Sequence, residues 1–411
     1  MSGRYRSIRA GLLSRGALSA FLFFVSFFVL LLLGAGNSLF AAVFLAASFA
    51  SVIINFKLCG QFFRKRIVLI LWISALPVYT LASTFWSEYP AATLRSAVQL
   101  TLTIVLSVFV YGALNGRRSI YLIFLGLILT AFFSLIFNRG HAGLGGMLGI
   151  FGSKNAFSCF SAIFFFVALS VFLNGKNSFS KMFAFIILLF AGYLLLRGDS
   201  AGAIVLTFLI SIAALVAHLC IRMNKLNRGF AFLSILMAFI PISAVILLTL
   251  DDYFVAVLSF LGKDTTLTGR TDLWSFANYY ISEKPMFGTG YNAFWVRGKS
   301  EAEALWLMFS IETRTGFHFH NLFLSNAVEL GLVGVGLQVS YFLWAMILAA
   351  KSLMKRYSAE TLAYSLIFLF LLIRTWMEVD LFYPFNYITF LFFVGLCRLN
   401  DDVSSRRVCS K

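Results

Sequence analysis

Apolar stretches of about 20 residues recur along this chain, and that length is what an α-helix needs to cross a bilayer. Hydrophobic residues occupy 61% of the 411 positions and charged residues only 12%, which exceeds what the core of a soluble protein requires. The sequence therefore predicts an all-α fold, a polytopic transmembrane bundle of about twelve spans. The predicted spans lie near 17–33, 38–55, 67–84, 96–114, 119–137, 156–173, 181–197, 200–220, 229–250, 321–350, 360–374 and 382–397.

Basic residues cluster in every second connection between these spans, as at Arg117 and Arg118, and acids are scarce there. The positive-inside rule places these connections and both chain termini in the cytoplasm. The same distribution accounts for the net charge of +17, so the charge does not indicate a nucleic-acid partner. The lipid bilayer is an expected partner. Four arginines precede the first span without a clear cleavage site, which predicts a retained helix rather than a removed signal peptide.

This topology divides the chain into four regions. Residues 1–250 hold spans one to nine, 251–319 form an outer loop subdomain, 320–400 hold the last three spans, and 401–411 are a cytoplasmic tail. The outer segment is too rich in tryptophan and tyrosine for a disordered loop. Within it, "TDLWSFANYYISE" (271–283) predicts a helix.

Two of the arginines on the predicted outer face are candidates for a site, because topology disfavours basic residues there. Arg197 ends "GYLLLR", and Arg270 stands in "TLTGRTDLW". Arg197 can be interpreted as an arginine snorkelling at a helix end, and Arg270 as a solvated loop residue. The functional alternative is that both guanidinium groups converge on an anionic headgroup, because their planar forks bind phosphate oxygens bidentately.

His320 stands where the outer segment re-enters the membrane. If Asn321 begins the next helix, the helix N-terminus and nearby arginines would favour a neutral imidazole. Such a ring can accept a proton from a sugar hydroxyl; the alternative is an interfacial histidine bonded to a carbonyl. Asn321, Ser325 and Glu329 recur every fourth residue and predict an inward polar stripe, on which Asn321 and Glu329 are candidate substrate contacts. Gly331, Gly334 and Gly336 predict close approach of a neighbouring helix.

Further candidate substrate contacts come from two outer motifs. "GSKNAFS" (152–158) places Lys154 and Asn155 beside a glycine-rich loop, and "FWSEYPAATLRS" (85–96) contains Arg95. Lys154 can be an ordinary loop lysine or a second contact to phosphate or sugar. His318 is hard to separate from His320 by local physics, and we assign it a minor role.

No metal site and no cofactor are expected from the sequence. The outer connections hold no dense cluster of Asp and Glu, the ligands that hard divalent cations prefer. The five cysteines show no metal-like spacing, and most lie on the cytoplasmic side, where a disulfide framework is not expected.

These motifs together resemble the O-antigen ligase and polysaccharide polymerase superfamily of bacterial inner membranes, nearest to its exopolysaccharide-production polymerase branch. The resemblance covers most of residues 72–340 and includes "LLLRGDSAGA" and "HNLFLSNAVELGLVG". It implies a GT-C-like helical glycosyltransferase in the inner membrane, with a periplasmic active site and a polyprenyl-diphosphate-linked glycan donor.

The resemblance also implies residue roles. Arg197 and Arg270 match the arginines thought to bind the donor diphosphate, and His320 matches the histidine thought to assist attack by the acceptor hydroxyl. The implied reaction is metal-independent and inverts the anomeric centre. Arg374, Glu378 and Asp380 receive no role from it.

Three functions follow from this resemblance and from the residues. The first is polymerisation of lipid-linked repeat units onto a glycan acceptor, with a chain-length regulator of the export system as a further expected partner. The second is an O-antigen ligase that transfers finished glycan to lipid A-core. The third is a transporter or flippase for lipid-linked sugar without chemistry, which the scarcity of charge at membrane depth disfavours.

Overall fold

A computed structural model describes residues 2–114, 119–142, 146–221 and 270–404. The side chains of 1–15, 35, 141, 142, 220 and 221 are outside this description. The predicted span at 229–250, and the outer segment up to 269, lie outside the described residues as well.

The described chain consists almost wholly of α-helices, with one two-stranded hairpin. The helices are α1 (Ser2–Leu32), α2 (Leu39–Ile54), α3 (Phe56–Lys65), α4 (Ile67–Ala82), α5 (Pro90–Ala113), α6 (Ser119–Ile136), α7 (Lys154–Leu173), α8 (Ser178–Arg197), α9 (Ala201–Ile221), α10 (Arg270–Glu283), α11 (Ser300–Met308), α12 (Leu322–Lys355), α13 (Ala359–Arg374) and α14 (Tyr387–Ser404). Strands β1 (His141–Ala142) and β2 (Gly146–Met147) pair antiparallel between α6 and α7.

The helices confirm a polytopic helical membrane protein. Seven of those described are long and apolar enough to cross a membrane, or up to eight if α2 and α3, which meet at an 84° bend, form one span. Each predicted span other than 229–250 coincides with a helix. Because α13 and α14 are not among the seven, the count of twelve spans and the GT-C-like architecture stay predictions.

Helix α7 lies at the centre of the bundle. It packs against α6, α8, α9 and α13, and 78% of its apolar window is buried, compared with 28% for α9. Ser153 caps its first turn by accepting a hydrogen bond from the backbone N–H of Ala156. The central position of α7 places its first residues, Lys154 and Asn155, in the middle of one end of the bundle.

Helix α12 is broken at Gly331, where φ is 65° and ψ is −170°. The loop before α11 fills the break with backbone hydrogen bonds: Thr289 N–H donates to Val328 O, and Leu332 N–H donates to Pro285 O. A Cβ at Gly331 would lie 2.2 Å from Met286 O. The prediction that Gly331 admits a neighbouring helix is therefore wrong, because the group that approaches it is the backbone of a loop. Gly334 and Gly336 do not support it either, since the atoms nearest to a Cβ at Gly334 belong to Leu330 of the same helix and a Cβ at Gly336 meets nothing within 4 Å.

The described part of the outer segment, 270–319, has a small apolar core of its own against the start of α12. Helix α10 confirms the helix predicted over 271–283, and α11 adds a second. The indole N–H of Trp274 donates to Phe319 O at 2.9 Å, which fixes the chain directly before His320. The core residues are Leu273, Ala277, Phe294, Leu305, Phe319 and Val328.

Candidate functional site

Glu378, in the connection between α13 and α14, connects three of the residues that the sequence predicts to form the site. Its side chain is 8% exposed. Oε1 accepts hydrogen bonds from Arg270 Nη2 at 2.9 Å and from Asn155 Nδ2 at 2.6 Å. Oε2 lies 3.3 Å from His320 Nδ1. One buried carboxylate therefore brings together α7, α10 and the turn before α12.

His320 has a backbone conformation that L-residues rarely adopt, with φ at 49°. Its backbone N–H donates to His318 Nδ1 at 3.1 Å, and the two rings lie 4.4 Å apart. Such strain persists only where the surroundings hold it, and it recurs at functional sites. The strained turn places the imidazole beside Glu378.

The tautomer of His320 follows from its partner. An ionised carboxylate only accepts hydrogen bonds, so in the neutral ring the proton lies on Nδ1 and the lone pair on Nε2. Asn321 is the N-cap of α12 as predicted, and its side-chain oxygen accepts from the N–H groups of Phe323 and Leu324. Leu322 N–H donates to Thr375 O. Because these bonds occupy the helix end, the main partner of the ring is Glu378, which the sequence argument omitted.

Arg270 is the first residue of α10 and contacts the same connection twice. In addition to the ion pair with Glu378, its Nη1 donates to Met377 O at 3.1 Å. Two separate nitrogens of the guanidinium thus hold the backbone and the side chain of adjacent residues, a geometry that a single ammonium does not reproduce. The guanidinium has five N–H donors in total, so further donors remain for a ligand.

A second buried ion pair lies next to the residues bonded to Glu378. Arg374 Nε lies 2.5 Å from Asp380 Oδ2, and Arg374 Nη2 donates to Asn155 O at 2.9 Å. Asn155 is thereby held through its backbone by Arg374 and through its side chain offers a donor to Glu378. This arrangement fixes the first turn of α7 relative to the α13–α14 connection.

Lys154 and Gly198, the residue after Arg197, both lie against the β-hairpin. A Cβ at Gly146 would lie 2.9 Å from Lys154 Cδ and 3.1 Å from Gly198 O. Gly198 in turn abuts Ser158, one turn into α7. Within the described part of the chain, neither cationic group forms an ion pair with a carboxylate, and Arg197 is exposed.

The start of α9, which follows Arg197, and the residues bonded to Glu378 both contact the α13–α14 connection. A Cβ at Gly202, in the first turn of α9, would lie 3.9 Å from Met377 Sδ, and Met377 O is the acceptor of Arg270. The start of α9, directly after Arg197, therefore lies against the same connection that holds Glu378. The predicted trio of Arg197, Arg270 and His320 occupies one end of the bundle.

Two further predicted substrate contacts, Glu329 and Arg95, are not among the residues bonded to Glu378. Glu329 is buried, and its Oε2 accepts the N–H of Asn292 at 2.9 Å, so it fixes the loop that fills the break in α12. The polar stripe predicted from its spacing with Asn321 and Ser325 is buried, which confirms its inward direction. Arg95 is exposed on α5. No contact within the described chain joins Arg95 or Glu329 to Glu378, and their roles in substrate binding stay predictions.

Charge states in the connection and loop follow from burial and from neighbouring cations. Burial raises the pKa of Glu378, but the hydrogen bond from His320 and the charge of Arg374 outweigh it and lower the pKa to about 2. Burial and the adjacent His320 lower the pKa of His318 to about 3. Glu378 is thus ionised and His318 neutral throughout the physiological range.

His318, His320 and Glu378 offer ligand atoms that lie within 4.8 Å of one another, and such a group can hold a metal ion. Three of these atoms already have partners: Glu378 Oε1 accepts from Arg270 and Asn155, Glu378 Oε2 faces His320, and His318 Nδ1 accepts a backbone N–H. A cation here would compete with the Arg270 guanidinium for the carboxylate. The sequence-based expectation of a metal-free site stays a prediction.

Glu378 is the main residue that sequence reasoning missed. A signal for it was available, since the outer connection "RTWMEVDLFYP" (374–384) carries two acids and an arginine within seven positions. Acids on the same face as Arg197 and Arg270 are natural partners for those cations. Cys59, Cys159 and Cys397 are buried and free, which agrees with the expected absence of a disulfide framework among the described cysteines.

Comparisons with known proteins agree with the motif-based resemblance. A family model described as O-antigen ligase matches residues 183–339, a range that contains Arg197, Arg270 and His320. The exopolysaccharide production protein ExoQ of Rhizobium meliloti (strain 1021) is 30% identical over 335 residues, which cover 79% of this chain and 75% of that protein. The resemblance is therefore confirmed, and the chain belongs to the O-antigen ligase family.

Proposed function

We propose that this protein is an inner-membrane glycosyltransferase that polymerises polyprenyl-diphosphate-linked oligosaccharide repeat units on the periplasmic side of the membrane. The observation that carries the proposal is the bonding of Arg270, His320 and Asn155 to the single carboxylate of Glu378. That arrangement combines a cation for a leaving group with an oriented imidazole. It lies beside Lys154 and the end of α8.

The donor diphosphate binds at the cationic side of the site. Arg197 and Lys154, which have no carboxylate partner among the described residues, bind its phosphate oxygens through charge-assisted hydrogen bonds. The free N–H donors of Arg270 stabilise the charge that develops on the leaving oxygen. Such electrostatic stabilisation removes the need for a metal ion in this role.

The acceptor sugar hydroxyl is activated by His320. Its oxygen attacks the anomeric carbon of the donor from the face opposite the diphosphate, and Nε2 accepts the hydroxyl proton. The bond from the anomeric carbon to the phosphate oxygen breaks, and polyprenyl diphosphate leaves with the electron pair, so the configuration inverts. Glu378 holds Nδ1–H during the transfer and stabilises the resulting imidazolium, which returns its proton to water.

The acceptor distinguishes polymerase from ligase. Both reactions use the same donor chemistry, and transfer of finished glycan to lipid A-core is the second candidate. The similarity to a protein named for exopolysaccharide production favours the polymerase. A transporter without chemistry is disfavoured, because the ionisable groups of the site gather at one end of the bundle rather than along a path through it.

The test uses a chromosomal deletion complemented by variants. Arg197→Ala, Arg270→Ala and His320→Ala are each expected to abolish polymer while the protein stays at normal membrane levels, and Lys154→Ala is expected to reduce polymer less. Arg297→Ala is the matched control, because Arg297 is exposed and its side chain donates a hydrogen bond to Thr313 O, away from Glu378. Full-length polysaccharide from cells with Arg270→Ala would remove that residue from the mechanism.

The species that accumulate in the deletion strain separate the candidate functions. Single lipid-linked repeat units without polymer indicate a polymerase, whereas complete polymer retained on its carrier indicates a ligase. Purified enzyme with a lipid-linked donor then tests the metal. Loss of turnover in a chelator and its recovery with a divalent ion would contradict the proposed metal-independent reaction.

The side of the membrane has its own test. A single cysteine at the exposed Thr315, in a background in which the native cysteines are replaced, should react in intact spheroplasts with a maleimide that does not cross membranes. Labelling only after lysis would place the site in the cytoplasm and remove the proposed periplasmic reaction.

A further inference from the structure

A cavity of about 210 Å³ opens at the end of the bundle opposite the candidate site. Helices α7 and α13 connect the two ends: Lys154 and Arg374 lie at the site, and Asn174 and Ala359 line the cavity. A helix of 20 residues, as α7 is, spans about 30 Å. The cavity is therefore a separate feature from the site around Glu378.

The walls of the cavity are basic. Its lining includes Lys176, Arg356 and Arg398, against one carboxylate, Glu360. Arg398 is 13% exposed and is held in place by two carboxylates. Its Nε lies 2.8 Å from Glu360 Oε2, and its Nη1 lies 2.7 Å from Asp402 Oδ1. These bonds hold the base of the cavity in one geometry.

The other two cations are available to a ligand. Arg356 is 62% exposed, and its nearest ion-pair distance is 3.7 Å, to Asp402. Lys176 is exposed and has no ion pair with a described carboxylate. The lining thus has three cations and one carboxylate, Glu360. Such a lining suits an anionic group, for example a phosphodiester.

The surface next to the cavity is apolar and exposed. Tyr121 lines the cavity and is 44% exposed, and Leu125, one turn further along α6, is 46% exposed. Phe179 lies three residues after Lys176 and is 74% exposed, followed by Met182 at 58%. Both helices, α6 and α8, are long and apolar enough to cross a membrane. Acyl chains are the natural cover for such surfaces.

We infer that this cavity binds the phosphodiester headgroup of an anionic phospholipid, with Lys176 and Arg356 contacting the phosphate and the acyl chains lying along α6 and α8. Basic pockets between transmembrane helices recognise headgroups in this way. The adjoining apolar surface favours a lipid over free phosphate as the occupant. This inference is independent of the proposed glycosyl transfer.

The test measures lipid retained by the full-length protein. The purified protein is exchanged into detergent micelles that contain phosphatidylglycerol or phosphatidylcholine, and bound lipid is counted by native mass spectrometry. We expect the wild type to retain phosphatidylglycerol selectively, and the Lys176→Gln, Arg356→Gln double variant to retain at least fivefold less.

Lys57→Gln with Lys351→Gln is the matched control, because it removes two exposed basic residues that do not line the cavity. Its retention of phosphatidylglycerol should equal that of the wild type. Equal retention by the cavity variant and the wild type would overturn the site, and so would an equal loss in the control variant.

A third arm separates a lipid site from a phosphate site. Inorganic phosphate at millimolar concentration should leave the retained phosphatidylglycerol unchanged, and its full displacement would overturn the assignment to a lipid. Circular dichroism monitors folding, and because both residues are exposed, substitutions should change stability by less than about 0.5 kcal/mol. Should the double variant unfold, the single Lys176→Gln variant must still show reduced retention, or the site is rejected.

Discussion

His320 Nδ1 lies 3.3 Å from Glu378 Oε2, although 58 positions separate the two residues in the chain. The same carboxylate holds Arg270 at 2.9 Å. A carboxylate on one ring nitrogen fixes the tautomer and the orientation of the imidazole, and in the proposed reaction the opposite nitrogen accepts the acceptor proton. In that proposal Glu378 is a positioning residue that acts through His320 and Arg270.

Replacement of Glu378 by Gln should reduce polymer formation by up to roughly 10⁴-fold, the loss seen when the carboxylate that orients a catalytic histidine becomes an amide. The amide can donate to Nδ1 and so favour the wrong tautomer, and it no longer neutralises Arg270. Polymer yield per unit of membrane-inserted protein measures the effect. Glu312→Gln is the control, because Glu312 is exposed in the outer segment. Equal yields from the two variants would exclude a role for Glu378.

Replacement of Arg270 by Lys should lower turnover roughly tenfold or more, although the charge is conserved. The two nitrogens of Arg270 reach Met377 O and Glu378 simultaneously, and one charge-assisted hydrogen bond contributes about 1.5–3 kcal/mol. Turnover of purified enzyme with a lipid-linked donor is the measurement. Arg297→Lys should retain normal turnover, and normal turnover in Arg270→Lys would show that charge alone is sufficient.

The sequence predicted the membrane class and the positions of the described helices, because hydrophobic periodicity is a local signal. It also predicted a site that contains Arg197, Arg270 and His320, and the structure joins Arg270 and His320 through Glu378. The sequence did not predict that Glu378 connects the residues of the site. The partners of a carboxylate depend on tertiary contacts between α7, α10 and the α13–α14 connection, which no spacing within one segment encodes. The role predicted for Gly331 failed for a related reason, since a glycine gives the same signal for a helix neighbour and for a loop.

His318 should make the protein less stable in mild acid. Its pKa in the folded protein is about 3, whereas a histidine in the unfolded chain has a pKa of about 6.5. As the pH falls from about 6.5 toward 3, the unfolded state binds a proton that the folded state does not, so stability falls. In His318→Gln, the side-chain oxygen can still accept His320 N–H and this loss disappears. Thermal unfolding between pH 7 and pH 5 should therefore have a steeper pH dependence in the wild type, and parallel slopes would contradict the prediction.

Replacement of Gly331 by Ala should destabilise the protein by more than about 2 kcal/mol. The residue has φ at 65°, and the new Cβ would lie 2.2 Å from Met286 O and 2.4 Å from Phe287 N, both backbone atoms that cannot rotate away. Gly336 gives the opposite expectation on the same helix. A Cβ there meets nothing within 4 Å, so Gly336→Ala should stabilise by about 0.5–1 kcal/mol. Unfolding midpoints in detergent compare the two variants.

Because the loop that fills the break leads to the segment before His320, Gly331→Ala should also lose polymer formation, whereas Gly336→Ala should keep it. A midpoint for Gly331→Ala at or above that of Gly336→Ala would show that the docked loop does not stabilise the break.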